Sequence, residues 1–126
     1  MDKRSVEWLK QAEYDIGTAE YMFAGGKFFY AVFMCHLSIE KAIKSLYQEH
    51  LREVPPKTHN LVYLLKKINL QLPEKAGKFI VKLNEASVAT RYPEDIEQIQ
   101  KYYTKEYVKN ILTDSREILE WIKTQF

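Results

Sequence analysis

Apolar residues recur every three or four positions along most of the chain, and this spacing predicts amphipathic helices. The first predicted helix runs from about Lys3 to Ala24 and ends at Gly25–Gly26, because glycine adopts the left-handed conformation that closes a helix. The second runs from about Phe28 to Leu51 and should be the central helix. Its core-facing stripe comprises Phe29, Val32, His36, Ile39, Ile43, Leu46 and His50.

Prolines divide the second half of the chain. Pro55–Pro56 favours an extended turn, because each proline disfavours a helical conformation in the residue before it. Thr58 is placed to cap a short third helix. The fourth predicted helix starts at Pro73, a residue type favoured at the first helical position, and stops near Arg91. The buried edges of these two helices are Leu61, Leu64, Leu65 and Ile68 in the third, and Ala76, Phe79, Ile80, Leu83 and Ala86 in the fourth.

The stretch from Pro93 to Tyr103 is polar apart from Ile96 and Ile99, and we expect a loop or a frayed turn there. Thr104 then begins a fifth helix. Its apolar stripe comprises Val108, Ile111, Leu112, Ser115, Leu119 and Ile122. No segment shows the period-two alternation that is typical of a half-buried β-strand, so a sheet is not expected.

Short connections between consecutive long helices favour antiparallel neighbours. The predicted fold class is therefore all-α: an up-and-down bundle of four main antiparallel helices plus one short helix. A length of 126 residues suits one hydrophobic core, and no repeat or linker interrupts the sequence. We expect a single domain over residues 1–126.

Composition narrows the class of function. The formal net charge of +2 gives no general attraction to a polyanion, so any nucleotide or RNA site has to be local. The single cysteine, Cys35, excludes an internal disulfide and suits a reducing cytoplasm. No apolar run approaches the roughly 20 residues of a membrane span, and we expect a soluble, cytoplasmic protein. His36 and Glu40 share a helix face, but no second Glu-x-x-His element accompanies them, so we predict neither a metal site nor a cofactor.

Four sequence landmarks occur in a characteristic order. The most specific is Ile39-Glu40-Lys41-Ala42-Ile43-Lys44 in the second helix. The others are Trp8, Ala12, Asp15 and Ala19 in the first helix, His59-Asn60-Leu61, and Arg91-Tyr92-Pro93. Together they resemble the HEPN family, whose helical bundle is similar to the helical C-terminal domain of kanamycin nucleotidyltransferase. The resemblance covers most of the chain and implies an association with nucleotides, RNA and minimal nucleotidyltransferases.

The candidate site centres on Glu40, which projects from the apolar stripe of the second helix. A buried, unpaired carboxylate costs several kcal/mol, so a cation or donor should meet it, and Arg91 is our candidate. Such a pair either locks the bundle or belongs to a functional pocket. Arg91 and Tyr92 have the chemistry to hold a phosphate and to stack on a base. Lys41 and Lys44 either present charge to a phosphate or lie on an ordinary solvated face.

The sequence departs from the resemblance where catalysis is concerned. In ribonucleases of the HEPN family, four to six residues separate the arginine from a histidine. At this spacing after Arg91 the chain has Ile96, Glu97 and Gln98, and no histidine. An arginine stays protonated and cannot shuttle the proton that RNA cleavage requires. The three histidines of the chain, which are His36, His50 and His59, lie far from Arg91 in sequence, although folding could bring one of them near. We expect His59 to help start the third helix.

These observations lead to three hypotheses on function. The first is a stand-alone HEPN module that binds a nucleotide or RNA, dimerises, and acts as the helical partner of a separately encoded minimal nucleotidyltransferase, as in a toxin–antitoxin pair. The second is a metal-independent endoribonuclease toxin that uses Arg91, Glu40 and an unrecognised base. The third is a purely structural domain. The surface that we expect to contact a second copy or a partner comprises Phe28, Phe29, Phe33 and Leu37.

Overall fold

Six α-helices and no β-strand make up the computed structural model, which describes all 126 residues. The helices are α1 (Lys3–Ala24), α2 (Phe28–Leu51), α3 (Leu61–Ile68), α4 (Glu74–Arg91), α5 (Ile96–Tyr102) and α6 (Lys105–Lys123). The predicted all-α fold class is thereby confirmed. None of these helices combines the length and the apolar character that a membrane crossing requires.

Helices α1 and α2 form an antiparallel hairpin. The turn between them contains Gly26, whose φ of 78° lies in the left-handed region that glycine adopts without strain. Two buried hydroxyls of α2 then donate hydrogen bonds to backbone carbonyls of α1: Ser38 to Ala12 at 2.7 Å, and Ser45 to Ser5 at 2.6 Å. Since residues later in α2 meet residues earlier in α1, the two helices run in opposite directions.

Helix α2 is the central helix, as predicted, and contacts all five others. The end of α4, at Arg91, lies over the ring of Phe33 near the start of α2, so these two helices are antiparallel. The end of α6 lies beside the end of α2, where the His50 ring is 3.2 Å from the carbonyl of Gln125. Helix α6 is therefore parallel to α2 and antiparallel to α1, which completes an up-down-up-down bundle.

The core is one cluster in which every main helix takes part. Its largest completely buried side chains are apolar apart from His36, and they include Ile16, Ile39, Ile43, Leu46, Leu61, Leu64 and Leu119. Helices α4 and α6 both pack on α2 but make little direct contact with each other. This arrangement leaves an open groove between them.

The expectation of a loop from Pro93 to Tyr103 is wrong. Residues Ile96–Tyr102 form α5, because the Asp95 carboxylate accepts hydrogen bonds from the amides of Glu97 and Gln98 at 3.0 and 3.2 Å. Such an N-cap satisfies donors that a helix start leaves free. Helix α5 buries none of its own residues, so its apolar pattern is too weak to predict a helix.

Two predicted helix starts are displaced by one or two residues. The cap of α3 is Asn60, whose side chain accepts from the amide of Tyr63, and Thr58 instead accepts from the amide of Asn60. Pro73 lies at the cap position of α4 and not at its first helical position. Thr104 caps α6, as expected.

Candidate functional site

Glu40 lies at the centre of a buried polar cluster on α2. Only 3% of its surface is exposed, yet both carboxylate oxygens have partners. The Nζ of Lys44, one helical turn further along α2, donates to Oε2 at 3.0 Å, and Nδ1 of His59 lies 2.8 Å from Oε1. Lys44 is itself buried, and its ammonium lies 5.6 Å from the centroid of the Trp8 ring. The cluster is therefore a desolvated ion pair with an imidazole on its open side.

The predicted ion pair between Glu40 and Arg91 is wrong. Lys44 on the same helix and His59 from the preceding loop occupy the carboxylate, and Arg91 forms neither an ion pair nor a hydrogen bond. Its guanidinium instead lies 4.9 Å from the centroid of the Phe33 ring, and its buried Nε has no partner. Arg91 is consequently a half-buried cation without an internal counter-ion.

His36 lies beside this cluster and is completely buried. Its Nδ1 is 3.9 Å from Oε1 of Glu40, and neither ring nitrogen forms a hydrogen bond. Burial lowers the pKa of His36 to about 4, although the negative charge of Glu40 acts in the opposite direction. The positive charge of Arg91 acts in the same direction as burial, and the value of about 4 is the net result of these effects. His36 is therefore neutral at neutral pH.

The position of His59 follows from the start of α3. The side-chain oxygen of Asn84 on α4 accepts from the amide of Leu61 at 2.8 Å, and its NH₂ donates to the Asn60 side chain at 3.2 Å. These bonds hold the loop against α4 and direct the His59 ring towards Glu40. About 56% of the His59 side chain is exposed, so the ring connects the buried carboxylate with solvent. The sequence predicts only a structural role for His59, at the start of α3, and the landmark His59-Asn60-Leu61 is its only signal of a role at the site.

The two lysines that we considered as phosphate ligands are both paired within the protein. Lys41 lies 2.8 Å from the carboxylate of Asp15, which is buried on α1, and Lys44 lies 3.0 Å from Glu40. Neither belongs to an ordinary solvated face. An incoming phosphate would compete with an existing carboxylate at each of them, so binding by these lysines stays a prediction.

The predicted partner surface is corrected at one residue. Phe29 is 7% exposed and belongs to the core cluster, so it cannot contact a partner. It lies on the stripe that faces the core, as its spacing from Val32 indicates. Phe28, Phe33 and Leu37 are half-buried and keep part of their surface in solvent.

A second feature, which sequence reasoning missed, is the open groove between α4, α5 and α6. Its volume is about 1020 Å³, and four tyrosines line it: Tyr92, Tyr102, Tyr103 and Tyr107. We name it the tyrosine groove. Tyr103 and Tyr107 stack with their centroids 5.8 Å apart, and Tyr102 meets both rings edge-on. The adjacent Tyr102 and Tyr103 were the only sequence signal, and they lay in a stretch expected to be a loop.

The ionisable groups of the tyrosine groove are Lys82, Glu85, Glu94, Asp95 and Lys101, together with the tyrosine hydroxyls. The Nζ of Lys82 lies 4.5 Å from the centroid of the Tyr107 ring. Burial raises the pKa of Tyr103 to about 12, and interaction with the Tyr107 hydroxyl raises the pKa of Tyr102. Tyr102 and Tyr103 are therefore neutral at neutral pH. Elsewhere, no three His, Cys, Asp or Glu side chains are arranged to hold a metal ion.

Comparison with known proteins agrees with this architecture. A family model described as the HEPN domain matches residues 5–125. The crystal structure of TT1696 from Thermus thermophilus is similar, with a TM-score of 0.83 and 22% identity over 99% of this chain and 100% of that one. ST0689, described as an archaeal HEPN homologue, has a TM-score of 0.77 and 27% identity over 98% of each chain. No curated protein matches the chain.

Proposed function

Because the chain belongs to the HEPN family, we propose that it is a stand-alone HEPN module that binds a phosphate of a nucleotide or RNA at Arg91. In the same proposal it acts as the helical partner of a separately encoded minimal nucleotidyltransferase in the cytoplasm. One observation supports Arg91 as the phosphate-binding residue. Lys41 and Lys44 are each paired with a carboxylate, whereas Arg91 has no internal counter-ion.

A phosphate would supply the negative charge and the hydrogen-bond acceptors that Arg91 does not find within the protein. The guanidinium presents several N–H donors in one plane, and this fork matches two oxygens of a phosphate group. The Phe33 ring lies beneath the guanidinium, with its centroid 4.9 Å away, and favours a cation by its negative face. Tyr92 is the next residue, and 73% of its surface is exposed, so its ring is free to stack on a base.

The proposed partner surface adjoins this site. Phe33 contacts Arg91, and Leu37 and Phe28 on the same helix also keep part of their surface in solvent. A protein that covers these side chains would lie next to a phosphate held by Arg91. The phosphate site at Arg91 and the apolar partner surface therefore lie side by side on α2 and α4. This arrangement supports a binding module that works with a partner.

The phosphate site is tested by fluorescence anisotropy with a short labelled single-stranded RNA. We expect Arg91→Ala to weaken binding by about 10-fold or more, because a charge-assisted contact of about 1.5–3 kcal/mol is lost. Arg91→Lys keeps the charge without the fork and should give an intermediate affinity. The matched control is Arg4→Ala, which removes an exposed arginine from α1. Equal weakening by the two alanine variants would overturn the Arg91 site.

The partnership is tested by co-expression with a small nucleotidyltransferase encoded in a neighbouring reading frame. We expect the two proteins to co-elute in size-exclusion chromatography, and the double variant Phe33→Ser/Leu37→Ser to elute apart from the enzyme. Val54→Ser alters an exposed apolar residue outside this surface and should leave the complex intact. Light scattering on the chain alone measures the expected homodimer. A wild-type chain that never co-elutes would contradict the partner role.

The environment of His59 favours a second candidate function, a metal-independent ribonuclease. If the Nδ1 proton of His59 is donated to Glu40, Nε2 is left as an acceptor on an exposed ring. That nitrogen would take the proton of an RNA 2′-hydroxyl, and the resulting oxygen would attack the adjacent phosphorus while Arg91 neutralises charge. The bond to the 5′-oxygen breaks, and water supplies the proton for the leaving oxygen. The products are a 2′,3′-cyclic phosphate and a 5′-hydroxyl.

Incubation of RNA with the purified protein and a chelator tests this candidate. We expect cyclic-phosphate ends with the wild type, and a loss of about 100-fold or more in His59→Ala, as for removal of a general base. His50→Ala serves as the matched histidine control. Intact RNA with the wild type would exclude the ribonuclease and would leave phosphate binding at Arg91 unaffected.

A further inference from the structure

We propose that the tyrosine groove is a base-binding subsite, in which a nucleobase of single-stranded RNA stacks on Tyr102. The inference rests on the proposed phosphate binding at Arg91 and adds a second contact to the same ligand. The two contacts recognise different parts of that ligand, so they can be tested separately.

The shape and lining of the groove suit a flat aromatic ligand. Its volume of about 1020 Å³ is at the upper end of the range of ligand sites. Leu83, Ala86 and Ile111 contribute an apolar wall. Tyr102 is 64% exposed and lines the opening, which leaves much of its ring available to a second aromatic ring.

The Tyr102 ring is also held in place. It packs edge-on against Tyr103 and Tyr107, with centroids 4.8 and 5.6 Å away, and Tyr103 is itself buried. Lys82 covers the Tyr107 ring from α4. A ring that is already ordered loses little conformational freedom when a base stacks on it, so more of the stacking energy appears as affinity.

The charges of the groove favour a base over a phosphate as its occupant. Lys82 and Lys101 are opposed by Glu85, Glu94 and Asp95, so the groove as a whole does not attract an anion. Asp95 is already bound to the amides at the start of α5. An uncharged base fits this balanced lining, and its phosphates would lie outside the groove.

The groove and the phosphate site both involve the end of α4. Tyr92 lines the groove and directly follows Arg91 in the sequence, whereas Arg91 lies over Phe33 of α2 and does not line the groove. The two contacts therefore belong to different nucleotides of one strand, which would pass the end of α4 with a phosphate at Arg91 and a base on Tyr102. A mononucleotide shares this chemistry, since it also joins a base to a phosphate. We favour the strand because Arg91 lies outside the groove, and because a single nucleotide would leave most of the groove empty.

Two labelled probes separate the contacts: a short oligouridylate and an abasic strand of equal length and charge. We expect Tyr102→Ala to weaken binding of the oligouridylate by about 5- to 150-fold, the range for one stacked base, and to leave binding of the abasic strand unchanged. Tyr102→Phe keeps the ring and should bind as the wild type does. Tyr21→Ala removes an exposed tyrosine from α1 and is the matched control.

The outcomes distinguish this inference from the proposed function. Arg91→Ala should weaken both probes, because both carry phosphates. If Tyr102→Ala binds the oligouridylate like the wild type, the base subsite is overturned and the Arg91 site stands. If the wild type binds neither probe, both are overturned. Displacement of the oligouridylate by uridine monophosphate at equal affinity would retain the base subsite but overturn the strand as its ligand.

Discussion

The buried carboxylate of Glu40 on α2 is stabilised by groups from two parts of the fold. Glu40 meets Lys44 on its own helix and His59 from the loop before α3, while His36 lies beside it without a hydrogen bond. Arg91 contributes to the electrostatics of the same region without touching the carboxylate. This region therefore contains one ion pair, Glu40 with Lys44, and one cation without a counter-ion, Arg91. The pair matters for stability, and the free cation matters for the proposed binding.

Glu40→Gln should be strongly destabilising. The substitution leaves the buried Lys44 ammonium without its counter-ion, and breaking a buried pair in this way costs about 3–5 kcal/mol. Urea denaturation measures the free energy of unfolding.

The double variant Glu40→Gln/Lys44→Met should recover most of the lost stability, because it leaves no buried charge. Glu74→Gln breaks an exposed ion pair with Lys78 and should change nothing. Equal stability of Glu40→Gln and the wild type would contradict the buried pair.

His36 should make stability depend on pH. Its folded-state pKa of about 4 is below the ordinary value of 6.5, so the unfolded chain binds more protons between these values. The contribution of His36 to the free energy of unfolding is complete above about pH 6.5 and is lost as pH falls towards 4, by an amount on the order of 3 kcal/mol.

The measurement is the free energy of unfolding from pH 7 to pH 4 for the wild type and for His36→Met. The variant should lose less stability over this range, and His50→Gln should follow the wild type. An NMR titration of the His36 ring reports the same pKa without a substitution. A ring that titrates near 6.5 in the folded protein would contradict the prediction.

The spacing of apolar residues in α2 predicts that Glu40 is buried and needs a partner. The sequence does not identify that partner, because the choice between Lys44 and Arg91 depends on the side-chain directions and on the path of the loop. His59 depends on Asn84, which holds the loop from another helix. Contacts between distant segments of this kind leave no periodic signal.

Helix α5 is the helix with the least burial of its own side chains, and it forms one wall of the tyrosine groove. It is seven residues long and buries none of its own side chains. The Asp95 cap, the packing of the half-buried Ile99 against the core and the burial of Tyr103 at its end therefore hold it in place. The long helices, by contrast, have continuous apolar stripes, which explains why the sequence predicts their existence and leaves α5 out.

Asp95→Ala should loosen α5 selectively. Loss of an N-cap costs about 1 kcal/mol, which corresponds to about 5-fold faster local opening. Hydrogen exchange measures the protection of the α5 amides, and those of α2 should stay unchanged. Asp95→Asn retains an accepting oxygen and should restore protection. Unchanged exchange in Asp95→Ala would mean that the packing of Ile99 and Tyr103 holds the helix without the cap. Because Tyr102 is the last residue of α5, the alanine variant should also weaken oligouridylate binding.

At the scale of the whole molecule, the bundle carries little net charge. The net charge of +2 produces no strong field around the protein, and most cations near Glu40 are already paired. Binding of a polyanion must then depend on a small number of local contacts. Composition alone predicts this much, but only the pairing pattern identifies Arg91 as the cation that is available.

Salt dependence provides the test at this scale. For a single strand, the slope of the logarithm of the association constant against the logarithm of salt concentration is about −0.7 for each phosphate contact. We expect a shallow slope for the wild type, and Arg91→Ala should make it shallower by about 0.7. Arg4→Ala should leave it unchanged, since Arg4 lies on α1 and outside the site. A steep slope that is identical in all three proteins would mean that diffuse surface charge, and not Arg91, holds the nucleic acid.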